Sequence, residues 1–78
     1  MRKPTIEDGV DPMLALRVYM ISAGLTQVAL ANKIGMSPAT MSRKLKGNRE
    51  FKLSEIKAIA SALNLSADET VKVFLQQI

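Results

Sequence analysis

The chemistry open to this 78-residue chain is concentrated in one stretch. Between Lys33 and Lys52 stand six basic residues, Lys33, Arg43, Lys44, Lys46, Arg49 and Lys52, against the single acid Glu50, a net +5 in 20 residues. The remaining 58 residues carry five basic and six acidic side chains, so the overall charge of +4 resides in that stretch. Clustered Lys and Arg attract a polyanion. Glu7, Asp8 and Asp11 form the one carboxylate cluster, but three hard metal ligands must converge to hold a cation, and here they read as solvated charges plus a helix cap. Neither histidine nor cysteine occurs. That removes the commonest general base, thiol nucleophiles, thiolate zinc sites and disulfides. With no phosphate-binding glycine loop and no paired buried carboxylates, the sequence offers binding rather than bond-making chemistry, and it calls for neither an enzyme nor a cofactor.

To act together, these cations need a rigid element that turns them one way. Two short helices around a turn of about three residues supply it: Gln27 to about Ile34, stopped by Gly35, and a helix capped by Ser37, begun by Pro38 and running to about Lys46. At about 100° per residue, with Met41 at zero, Leu45 and Pro38 lie within about 60° and should face inward. On the same projection Ala39, Thr40, Arg43 and Lys46 fall between about 140° and 260° and project outward. An outward helical face of this kind suits the major groove of DNA. Small Ala31 lets the two helices approach.

The other elements must hold that pair in place. Residues 1–10 mix charge, Pro4 and Gly9 without periodicity and read as a flexible N-terminal arm, with residues 11–78 forming the domain. Asp11-Pro12 predicts the start of a first helix whose stripe is Leu14, Val18, Ile21 and Leu25, ended by Gly24. Thr26 caps the second helix, whose stripe is Val28, Leu30, Ala31 and Ile34. Gly47-Asn48 closes the third and opens a polar loop to Lys52 in which Phe51 is the one large apolar group. A fourth helix begins at Leu53-Ser54 with Ile56, Ile59, Ala60 and Leu63 on one face and Asn64 near its end. Ser66-Ala67-Asp68-Glu69 is a capping box for a fifth, with Val71, Phe74, Leu75 and Ile78 as its stripe. Its Val73-Phe74-Leu75 end is expected to be shared with a second subunit, while Tyr19 and the methionines are assigned to packing. The fold class is therefore all-α, with five helices and no strand.

The stretch from Thr26-Gln27 through Gly35, Ser37 and Arg43 to Gly47 resembles the phage repressor and Cro family of DNA-binding domains, the Xre-type helix-turn-helix. The loop and fourth helix, Asn48 to Ile56, look like those of small phage or prophage regulators from Gram-positive hosts. The resemblance spans about Met13 to Leu75 and implies a five-helix domain that binds double-stranded DNA as a homodimer on an inverted repeat. It places Ala39 and Arg43 where the family reads base edges, and Arg can bridge guanine O6 and N7 while an alanine methyl meets a thymine methyl. Thr40 is assigned to a base or a phosphate. Gln27 resembles the glutamine that donates to a phosphate at the start of the second helix; Lys46, Asn48, Arg49 and Lys52 fall among the backbone contacts, and Ser37 is a cap first and a backbone contact second.

Two positions depart from the family pattern: Pro38 can donate nothing to a base, and Lys44 stands where an apolar residue is frequent. The implied setting is the bacterial cytoplasm, at the nucleoid, with no metal and no membrane; no segment reaches the roughly 20 apolar residues of a membrane span. The alternative function is a phage antirepressor or modulator that binds a partner repressor protein. The basic charge around the third helix favours DNA, because a surface that mimics DNA would be acidic.

Overall fold

The computed structural model describes residues 13–75, and these form α1 (Leu14–Ser22), α2 (Gln27–Ile34), α3 (Pro38–Leu45), α4 (Leu53–Leu63) and α5 (Ala67–Phe74). No strand occurs among the described residues, so the fold is all-α, as the sequence predicts. The expected arm, the carboxylate cluster, the Asp11-Pro12 cap and Ile78 lie outside the described residues. Met13 occupies the N-cap position of α1 and makes no side-chain capping bond.

Helix boundaries follow local chemistry. Thr26 Oγ1 accepts the Ala29 amide at 3.0 Å and opens α2. At the other end Gly35 takes the left-handed conformation, φ 75°, while the Met36 amide reaches back to the Ala31 carbonyl at 2.8 Å. Only three residues, Gly35 to Ser37, then separate α2 from α3. The capping box of α5 is reciprocal: Ser66 Oγ accepts from the Glu69 amide at 3.1 Å and the Glu69 carboxylate accepts from the Ser66 amide at 2.8 Å. Asn64 closes α4 in the left-handed region, φ 60°, which its short amide side chain tolerates better than most.

Every helix contributes to one core. Leu16 of α1, Leu30 of α2, Met41 and Leu45 of α3, Ile59 of α4 and Phe74 of α5 are fully enclosed. α2 packs against both α3 and α4, whereas α1 lies against α5. The Tyr19 hydroxyl donates to Glu69 Oε2 at 3.2 Å, so α1 is also tied to the capping box of α5. Ala31 is fully enclosed at the α2 contact, as its small size predicts.

Three apolar stripes differ from the expected ones. On α1, Leu14, Val18 and Ile21 are exposed, Ile21 by 78%, and the buried line is Met13, Leu16 and Met20. The helix carries two apolar lines on different sides, and the methionine-bearing one joins the common core, with α1 lying against α5. On α2, Val28 is exposed. On α5, Val73 and Phe74 are buried within the monomer while Val71 and Leu75 face outward, so the aromatic expected at a subunit contact is spent on the core. Phe74 instead meets Phe51 edge-on, with ring centroids 5.4 Å apart.

Leu16→Ala is expected to lower stability by about 2–5 kcal/mol, the usual range for emptying an enclosed leucine site. Ile21→Ala should change it by no more than about 0.5 kcal/mol, as at an ordinary surface position. Urea denaturation of the two variants checks this, and equal losses would place Ile21 in the core.

Candidate nucleic-acid interface

α3 is oriented by what it buries. Met41 and Leu45 are fully enclosed and Lys44 is 5% exposed, so the inward arc runs from Lys44 through Met41 to Leu45. Pro38, expected at the edge of that arc, is exposed instead, because the arc is tilted away from it toward Lys44. Directly opposite, Ala39 and Arg43 are exposed, and Thr40 beside them is half-buried. Ala39 and Arg43 therefore share the outer side of one rigid helix, with Thr40 at its edge.

Two hydroxyls organise the start of that helix. Ser37 Oγ accepts the Thr40 amide at 3.1 Å, the N-cap expected of it. It also donates to Thr40 Oγ1 at 2.9 Å. Ser37 is thus committed to the helix end, whereas the Thr40 hydroxyl keeps a proton to donate outward.

The end of α3 closes on Gly47, whose φ of 84° lets the chain reverse. The Asn48 amide returns to the Arg43 carbonyl at 3.0 Å and the Gly47 amide to the Lys44 carbonyl at 3.1 Å, a paired closure that fixes the exit direction. Lys46, Asn48, Arg49 and Lys52 follow and are all exposed. Phe51, 4% exposed, plugs this segment into the core against Phe74. Lys33 is exposed as well, so five of the six cations in the basic stretch face solvent.

Lys44 is the sixth, and it is turned inward. Its ammonium donates to Glu55 Oε1, and the same oxygen accepts the Lys52 amide at 2.7 Å. The ammonium also lies 5.9 Å from the centroid of the Phe51 ring. Burial pushes the Glu55 carboxyl up, but the Lys44 ammonium and the Lys52 amide outweigh it and hold the group below the usual glutamate range. Glu55 is the residue that sequence reasoning missed. Two signals pointed to it: Lys44 falls on the inward side of the helical wheel, and a glutamate three residues into α4 is placed to accept the backbone amide before that helix.

Gln27, the remaining expected contact, is half-buried at the first position of α2, in a hollow lined also by Arg17, Met20 and Thr26. It is the first residue, at the positive end, of a helix that packs against α3. No cluster of three metal-ligating side chains is found among the described residues.

Because the folded state depresses the Glu55 pKa, its ionised form stabilises the fold fully above the unfolded value of about 4.3, and that contribution is lost as pH falls through the folded value. The gap in urea midpoint between the protein and Glu55→Gln should be widest near neutrality and shrink below about pH 4. A gap as wide at pH 3 would mean that the charge contributes nothing.

A search of the curated proteins and of the solved structures gives no significant match. The family model described as a helix-turn-helix domain matches residues 14–72, which takes in α1, both helices of the turn motif, α4 and most of α5. With well over half of the chain matched and the two motif helices in place around a three-residue turn, this chain belongs to the helix-turn-helix domain family.

Proposed function

We propose that the protein is a sequence-specific transcriptional regulator of the repressor and Cro type, of phage or prophage kind, that lays α3 in the major groove of DNA. The observation that carries this reading is the exposure of Ala39 and Arg43 opposite the enclosed Met41 and Leu45, with Lys46, Arg49 and Lys52 exposed just beyond. A helix anchored on one side and cationic at its exit presents base-reading groups and phosphate-binding groups to the same duplex.

In this reading Arg43 bridges guanine O6 and N7, the Ala39 methyl packs on a thymine methyl, and Thr40 donates its free proton to a base or a phosphate. Lys46, Asn48, Arg49 and Lys52 meet the phosphates, and Gln27 donates to a phosphate from the start of α2. Ser37 serves the backbone contact indirectly, through the helix end that it caps. The working unit is a homodimer on an inverted repeat, with recognition helices about 34 Å apart. The exposed Val71 and Leu75 of α5 offer apolar surface toward the second copy. Its place of action is the DNA of a bacterial cell.

Selection from a random duplex library at near-physiological salt is expected to enrich an inverted repeat with half-sites one helical turn apart. A pool with no enriched sequence would contradict the reading. On the selected site, Arg43→Ala should weaken binding by about 1–3 kcal/mol and erase preference at one base pair. Lys46→Ala should weaken all sequences alike and reduce the slope of log K against log salt by about 0.9. If the two variants exchanged these behaviours, their assignments would be reversed.

A further inference from the structure

Lys44 poses a question that the interface leaves open: why a lysine inside the basic stretch is withdrawn from the surface. It lies in the last turn of α3, two residues before the exposed Lys46, and its side chain is 5% exposed. Its partner Glu55 is in the first turn of α4, on the far side of the loop. One oxygen of Glu55 receives both the Lys44 ammonium and the Lys52 amide. A single carboxylate therefore joins the end of α3 to the last residue of the loop.

The loop is consequently fixed at three points. Its start is set by the closure at Gly47 and Asn48, and its end by Glu55 on the Lys52 amide. Between them Phe51 is held in the core, beneath the Lys44 ammonium and edge-on to Phe74. The side chains that remain outside are those of Lys46, Asn48, Arg49, Glu50 and Lys52. A seven-residue connection that carries three free cations is thereby denied most of its freedom.

We infer that the Lys44–Glu55 pair is a positioning element for DNA binding, holding the segment 46–52 so that its cations engage the duplex that α3 reads. The inference rests on the proposed function and adds a claim about residues that touch no DNA. An ion pair withdrawn from solvent, here with Lys44 buried and Glu55 half-buried, contributes little net stability compared with apolar packing of similar volume. Its contribution is the geometry of the segment that it spans. Fixing that segment before binding removes an ordering cost that would otherwise weaken the complex.

Charge counting and positioning make opposite predictions for Glu55→Gln. The substitution removes an acid next to a cationic surface, so charge alone tightens binding to any duplex. Positioning weakens it, because the neutral carboxamide no longer balances the Lys44 ammonium and its single oxygen holds Lys44 and the Lys52 amide more weakly than a carboxylate does. Affinity and its salt dependence should be measured on the full chain with duplex DNA, at a temperature well below the melting midpoint of each variant. A merely structural role leaves a fully folded variant binding as before. The expected result is several-fold weaker binding by Glu55→Gln with a shallower salt slope.

Lys44→Met, which keeps the bulk and removes the charge, decides the matter even if Glu55→Gln does not fold. Misplacing two or all three of the loop cations reduces its salt slope by about 1.8 to 2.7, at roughly 0.9 per phosphate, whereas a lysine that itself touched DNA would reduce it by about 0.9. Binding by Glu55→Gln as tight as that of the unmodified protein, or a Lys44→Met slope reduced by about 0.9 or less, overturns the inference and leaves the DNA-binding reading intact. An unmodified protein without salt-dependent affinity for duplex DNA overturns the DNA-binding reading itself.

Discussion

The arrangement depends on how α3 is seated. Met41 and Leu45, one helical turn apart and both fully enclosed, leave the helix no freedom to roll. Once they are inward, geometry compels Ala39 and Arg43 outward, and no other property of those two residues is needed to place them. α2 supplies the seat, with Leu30 and Ala31 enclosed in the same core, and α4 holds α2 from behind. α1 and α5 complete the enclosure rather than the interface, joined by Tyr19 and Glu69 at one end and by burial of Leu16, Val73 and Phe74 in the common core.

Electrostatics is layered on this seat. Four exposed cations, Arg43, Lys46, Arg49 and Lys52, lie on or near the exit of α3 and a fifth, Lys33, stands in the last turn of α2, while the sixth is neutralised inside by Glu55. The formal charge of the stretch thus overstates its surface charge by one and hides a structural tie. Exposed cations act through long-range attraction and are screened by salt, whereas the Lys44–Glu55 pair, with its lysine buried and its glutamate half-buried, is screened less. The same residue type therefore has two roles within three positions, Lys44 as a tie and Lys46 as a surface charge.

Much of this was legible in the sequence because it is local. Thr26, Ser37 and Ser66 announce helix starts through bonds that span three residues, and Gly35 and Gly47 announce the stops. The outward face of α3 was legible too, since Met41 and Leu45 are the only apolar pair one turn apart on that helix. The buried side of α1 was not. Leu14, Val18 and Ile21 have spacing as helical as that of Met13, Leu16 and Met20, so only the neighbouring helices decide between them. Burial of Val73 and Phe74 and withdrawal of Lys44 depend in the same way on partners distant along the chain, Phe51 for Phe74 and Glu55 for Lys44.

One surface, the outer side of α3 with the segment to Lys52, is proposed to meet DNA. The most direct test is to titrate isotopically labelled protein with a short duplex and follow its backbone amide resonances. Perturbations are expected to concentrate at residues 37–52 and at the start of α2, while the outer line of α1, Leu14, Val18 and Ile21, stays unmoved at salt low enough for binding. Perturbations centred on α1, or none along α3, would contradict the proposal.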